Sequence, residues 1–203
     1  MSIQANKNMK VSMAQHDRRV KVSQAAWRVI VREGLDRTSI RAIAQEMSCT
    51  TGVVTHYFRN KQELILFALH QVTERLKILM EQGVAHRSGC DRLVAMLSSF
   101  LPIDRERQEI LRVWVAFLGY AVGRERLMLD HQRSAGELRQ VIIQELVALQ
   151  EQKLIRSDIK PEIEANILLA LVNGISLDTL IQGQALTIEE QQAVLQTHVS
   201  TLK

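Results

Sequence analysis

Apolar residues return every third or fourth position along almost the whole chain, and very little interrupts them. Two prolines and nine glycines in 203 residues leave few breaks. A period near 3.6 with so little punctuation selects an all-α fold. Val22, Ala25, Ala26, Val29 and Ile30 share one face of a helix that starts near His16, and Gly34 stands where a left-handed cap would end it. A short second helix carries Ile40, Ile43, Ala44 and Met47, with Thr38 or Ser39 as its N-cap. After "SCTTG" a third short helix spans about 51–57, with Val54 and Phe58 as core anchors. Asn60 caps a longer fourth helix reaching about Gln82, with Leu64, Ala68, Val72, Leu76 and Leu79 on its inner face.

Beyond Gly89 the helices lengthen. One runs from Leu93 to Leu101 and stops before Pro102, because the residue preceding proline avoids the helical region. Ile110, Val113, Trp114, Phe117, Leu118 and Ala121 mark an amphipathic helix, and 124–153 reads as one helix or two, with Gly136 the candidate break. Pro161 opens a helix that is apolar on nearly every side to Ile181 and is expected to be buried all round. Thr187 and Glu190 have capping-box spacing at the start of a last helix with Val194, Leu195 and Val199. Residues 1–15 are polar and aperiodic and read as a disordered tail.

The expected organisation is a three-helix helix-turn-helix domain over 16–62, followed over 63–203 by a bundle of longer helices. Charge divides at the same place. Residues 1–62 hold eleven Lys/Arg against four Asp/Glu, a net of +7, and the remainder holds fifteen against eighteen, a net of −3. A basic front on a mildly acidic body suits an anionic partner. Two cysteines form no disulfide framework, the N-terminus has no apolar core of a secretory signal, and the thirteen uncharged residues between Glu164 and Asp178 are too few to span a bilayer. A reduced, cytoplasmic protein with no membrane association is expected.

The break between the second and third helices is three to four residues, which is right for a helix-turn-helix. Such a unit lays its second helix in the major groove. The stretch "TTGVVTHYFRNK" suits that work. Thr50 and Thr51 cap the helix and offer hydroxyls, Gly52 admits close backbone approach, and Val53 is small enough to meet a thymine methyl. His56 and Tyr57 carry polar tips, and Lys61 opens the next helix, where the dipole favours phosphate.

Over residues 18–66 the sequence resembles the DNA-binding domain of the tetracycline-repressor (TetR) family of transcriptional regulators. Gly34, Thr38, Ile40, Ile43, Ala44, Gly52, Tyr57, Phe58, Lys61 and Leu64 all match the residue types of its pattern. "TGVVTHYFRNK" is most similar to the betaine-biosynthesis repressor subgroup, with weaker similarity through "LRVWVAFLGYAV". The resemblance implies an all-α dimer with a four-helix interface, an inducer bound in its C-terminal domain, and repression of a double-stranded DNA operator; activation by the same fold is the alternative. It places Arg41, Thr51, Gly52, Val53, Thr55, His56, Tyr57 and Lys61 where family members touch DNA. Three residues depart from the pattern: Ser48 replaces a usual turn glycine, Cys49 a valine or isoleucine, and Thr55 a frequent tyrosine.

In the C-terminal part, Phe100, Trp114, Phe117 and Tyr120 are candidate ligand-binding aromatics, since aromatic faces attract cations; core packing is the competing reading. Ile163, Ile167, Leu171, Leu177, Leu180, Val194 and Val199 lie on helices too apolar to face water and are expected at a two-fold dimer interface. The six histidines show no metal-ligand spacing, and no phosphate-loop, dinucleotide or nucleophile-elbow motif is present. No enzyme activity, metal or cofactor is expected. The rival to DNA binding is a helical module whose basic front binds an acidic protein.

Overall fold

The computed structural model describes residues 2–35, 37–182 and 186–203, with side chains from residue 17 onward. The described residues form nine helices and no strand: α1 Ser2–Glu33, α2 Ile40–Glu46, α3 Thr51–Tyr57, α4 Lys61–Val84, α5 Gly89–Ser98, α6 Arg105–Ala121, α7 Glu125–Glu151, α8 Pro161–Gln182 and α9 Ile188–Ser200. The expected all-α class therefore holds. Two details of the element ends differ. Helical backbone extends back to Ser2, through the segment expected to be a disordered tail; its Gln, Ala, Lys and Met residues are good helix formers, and no Gly or Pro stops it. The side chains of that tail lie outside the described residues. α5 starts and ends earlier than expected, because Phe100 and Leu101 turn away through bonds to the Leu97 and Ser98 carbonyls.

The chain divides into two compact units. The first comprises Met1–Val72 and Val113–Arg124, the second Thr73–Arg112 and Glu125–Lys203. The first thus reaches past residue 62 and takes in the end of α6.

In the first unit, Val22, Ala25, Ala26 and Val29 of α1 pack on Ile43 and Ala44 of α2, Val54 of α3, Phe58 and Leu64. Full burial of side chains such as Ile43 and Phe58 contributes about 1.5–3 kcal/mol each. Gly34 ends α1 at φ +79°, with its N–H bonded to the Ile30 carbonyl, as a left-handed cap requires. Ser39, not Thr38, caps α2, its hydroxyl accepting the Ala42 N–H at 3.1 Å. Thr38 is buried and donates to the Gly34 carbonyl instead.

In the second unit, α5 packs on α7, α8 and α9, and α7 on α8. Leu93, Met96, Leu97, Ile142, Leu146, Leu149, Leu168, Val172 and Leu195 fill its core. α7 is a single helix of 27 residues; Gly136 stays inside it at a cost of about 1 kcal/mol relative to alanine. The Thr187–Glu190 capping box forms in both directions.

α8 is not buried all round. Ala165, Leu168, Val172 and Ile175 face the core, while Ile163, Ile167 and Ile181 are 55%, 43% and 76% exposed. A helix apolar on every side has one face left over when its own chain covers only the other. By length and composition alone α8 could cross a membrane, but its inner face belongs to this core.

Candidate nucleic-acid interface

The site is built on two short helices held by α1. Glu46 near the end of α2 accepts from Arg28 Nε at 2.6 Å and Arg32 Nη1 at 2.8 Å, both on α1. Those two hydrogen bonds, Arg28's first, hold the Glu46 carboxyl below its ordinary range. The turn into α3 is a paired-bond C-cap: the Cys49 N–H reaches the Ala44 carbonyl and the Ser48 N–H the Gln45 carbonyl. Ser48 sits at φ +52°, so serine adopts the left-handed conformation for which glycine is usual, and the turn keeps its geometry at a strain of about 1 kcal/mol. Cys49 is half-buried against the core.

α3 has two inward anchors, Val54 and its C-cap Phe58, both fully buried. Its remaining surface faces out. Thr51, Gly52, Thr55 and His56 are exposed, Val53 is 40% exposed, and Thr50 before it and Arg41 on α2 are exposed as well. Tyr57 is half-buried, packs on the core and meets the His56 ring edge-on at 4.9 Å. Thr50 occupies the N-cap position without a side-chain cap bond, unlike the expected capping role. The Thr55 hydroxyl donates back to the Thr51 carbonyl at 3.1 Å.

Lys61 differs most from the sequence expectation. Its ammonium donates to the Leu35 carbonyl at 2.7 Å and stands 5.4 Å from the centre of the Tyr120 ring. The Arg124 guanidinium lies 3.9 Å from the centre of the same ring. Tyr120 therefore already faces two cations of its own chain.

The other aromatic candidates separate. Phe117 is buried, Trp114 is half-buried, and both belong with Tyr120 to the first unit; Phe100 packs against the core of the second. An open cleft of about 740 Å³ in the second unit lies elsewhere, lined by Ser88–Asp91, Gln152–Arg156 and Lys203. Of the expected interface residues, Leu171, Leu177, Leu180 and Val194 are half-buried, whereas Val199 is only 2% exposed and is committed to the protomer's own core. No cluster of three metal-ligating side chains occurs among the described residues.

Two family profiles match the chain. Residues 23–67 match bacterial regulatory proteins of the tetR family, and residues 90–203 match the C-terminal domain of BetI-type transcriptional repressors. The chain belongs to the tetR family of transcriptional regulators, with a BetI-type C-terminal domain. It is 27% identical to the HTH-type transcriptional regulator PksA of Bacillus subtilis over 91% of this chain and 89% of that protein. It is 23% identical to the HTH-type transcriptional regulator BetI of Vibrio campbellii, over 90% of each. A regulator from Saccharomonospora viridis, solved in complex with choline, has the same fold at TM-score 0.83 and 19% identity, covering 91% of this chain and 96% of that one. As a tetR-family member the chain is a DNA-binding transcriptional regulator.

Two residues that sequence reading did not single out help hold α3, Arg19 and Glu63. Their ion pair spans 44 positions, so no local signal marks it.

Proposed function

We propose that this regulator is a cytoplasmic repressor that binds a palindromic operator as a two-fold homodimer and leaves it when a small molecule binds. The observation that carries the reading is α3. Two buried anchors, Val54 and Phe58, leave Thr51, Gly52, Val53, Thr55 and His56 exposed side by side on seven residues of helix. Arg41, Thr51 and Val53 face bases; Thr50, Gly52, Thr55, His56 and Tyr57 follow the backbone and groove walls. Lys61 reaches phosphate only by sharing or giving up its bond to Leu35. α8 supplies the dimer surface through Ile163, Ile167 and Ile181, joined by Leu171, Leu177, Leu180 and Val194, whereas burial removes Val199 from it. Two α3 helices in such a dimer meet half-sites about 34–36 Å apart.

The ligand reading rests on α6. Trp114, Phe117 and Tyr120 line its central and C-terminal turns, and Phe100 remains a candidate within its own unit. A ligand on α6 that moves Tyr120 disturbs Lys61, and it weakens DNA binding only by its preference for one arrangement over the other. Choline is the first probe because a protein of the same fold was solved with it. The protein serves no catalytic role in this reading.

The test is selection of duplexes from a random pool, followed by footprinting and titration with choline. A two-fold symmetric footprint is expected. An asymmetric single half-site bound by a monomer would overturn the dimer-on-palindrome reading. DNA affinity unchanged by millimolar choline would remove choline as the inducer.

A further inference from the structure

Arg19 lies on α1, outside the expected DNA contacts, yet it meets Phe58 at the end of α3 and Glu63 and Phe67 on α4. Its guanidinium carbon stands 4.9 Å from the centre of the Phe58 ring and 4.8 Å from that of Phe67. Those rings meet each other edge to face, 5.4 Å apart at 60°. Phe58 is the fully buried C-cap of α3, and Phe67 sits on α4. One planar cation therefore seats against both rings of the pair.

Its charge is anchored as well. Arg19 Nη2 lies 3.2 Å from Glu63 Oε1. The other carboxylate oxygen, Glu63 Oε2, accepts the Arg59 backbone N–H at 2.9 Å, in the first residue after Phe58. The Glu63 N–H in turn donates to Asn60 Oδ1 at 2.9 Å. Glu63 thus ties the chain leaving α3 to the start of α4 and, through Arg19, to α1. Arg19 Nε is buried and has no hydrogen-bond partner, a cost accepted to keep the guanidinium at the two rings.

We propose that Arg19 is a positioning residue for operator reading, setting the angle at which α3 presents its outer face, with Glu63 as its relay. The inference rests on α3 being the groove helix. In this proposal Arg19 acts through Glu63 and the aromatic pair, which engage its head group, and not through phosphate. A lysine does not replace Arg19, because a compact ammonium lacks the delocalised, forked guanidinium that approaches both rings while bonding a carboxylate.

The experiment compares wild type, Arg19→Lys, Arg19→Ala and Glu63→Gln in the full chain, with folding checked by circular dichroism and temperatures kept well below each melting point. The probes are the duplex that wild type selects from a random pool and a random-sequence duplex, each over a range of salt. Arg19→Lys and Glu63→Gln are expected to reduce the ratio of selected to random affinity by about tenfold, the scale of one lost base contact, with the salt slope unchanged. Arg19→Ala is expected to do at least as much. An equal loss on both duplexes, with the slope falling by about one per subunit, would make Arg19 a phosphate contact and overturn the proposal. A lowered melting point with the ratio intact would reduce it to an ordinary core clamp and overturn it equally. If wild type selects no duplex at all, the groove-helix reading fails first, an outcome distinct from failure at Arg19.

Discussion

α3 and α8 both leave part of their surface uncovered in the single chain, and they do so with opposite chemistry. α3 is seven residues long and exposes threonines, a glycine, one valine and a histidine. α8 is 22 residues long and exposes isoleucines at 163, 167 and 181. A groove-facing helix needs small and polar groups for base edges and phosphates, on a backbone held still by a few anchors. A helix meant for a second protein chain needs apolar area, because association is driven mainly by removing that area from water. Under the proposed function the two faces serve two kinds of partner, α3 the DNA and α8 a second copy of the chain.

The largest effect is expected at the anchor of the short helix. Phe58→Ala removes a fully buried ring shared by α3, α1 and α4. It should cost about 3–5 kcal/mol in the first unit and abolish DNA binding, while dimerisation through α8 survives. Calorimetry with sedimentation on the same sample checks this; loss of the dimer along with DNA binding would blur the two faces into one.

Next comes the apolar face itself. Ile167→Glu puts a charge on an exposed stripe and should leave the monomer's melting point nearly unchanged while weakening dimerisation at least about tenfold. Val199→Ala is the counter-test: a buried core position should lower monomer stability and spare association. Sedimentation across micromolar concentrations distinguishes them, and an Ile167→Glu protein that stays dimeric places the interface elsewhere.

Within the DNA face, Arg41→Ala should relax preference at defined base positions by about 1–3 kcal/mol. Lys61→Ala should lower affinity on all sequences, with the salt slope falling by about one per subunit if its ammonium leaves Leu35 for phosphate. An unchanged slope would mean that Lys61 serves the protein's own carbonyl. Binding to single-base variants at fixed salt separates the two substitutions.

Ser48→Gly should relieve the left-handed strain in the turn and raise the first unit's stability by up to about 1 kcal/mol, read as a small rise in melting temperature. A fall would show that the unfolded-state entropy of glycine outweighs the strain.

The smallest effect concerns pH. The Glu46 carboxyl is held below its ordinary value by Arg28 and Arg32, so its contribution is present above the unfolded value near 4.5 and is lost as pH falls through the lowered value. Glu46→Gln should therefore flatten part of the acid-side decline in melting temperature; parallel curves would show that the exposed pair contributes nothing measurable.

The helices were legible because their causes are local. Val22, Ala25, Ala26, Val29 and Ile30 share a face by spacing alone, Gly34 lacks the Cβ that would strain φ +79°, and Thr187 and Glu190 are three residues apart, within reach of each other's backbone. The outward residues of α3 could be named for the same reason, since seven residues with two anchors leave few faces to choose between. Other features were hidden. No local pattern shows that the Leu35 carbonyl, 26 positions before Lys61, accepts a hydrogen bond from its ammonium. Nor does any local pattern show that Lys61 and Arg124 approach the Tyr120 ring.

By itself the sequence determined the all-helical class, the ends of most helices, the basic first third and the bounds of the short third helix, because each follows from spacing, caps or charge within a few residues. Only the tertiary structure decided which side of α8 is left uncovered, that Val199 belongs inside, and that Arg19 is seated against Phe58 and Phe67. Those outcomes depend on which residues distant in the chain arrive at the same place, and a one-dimensional pattern carries no term for that.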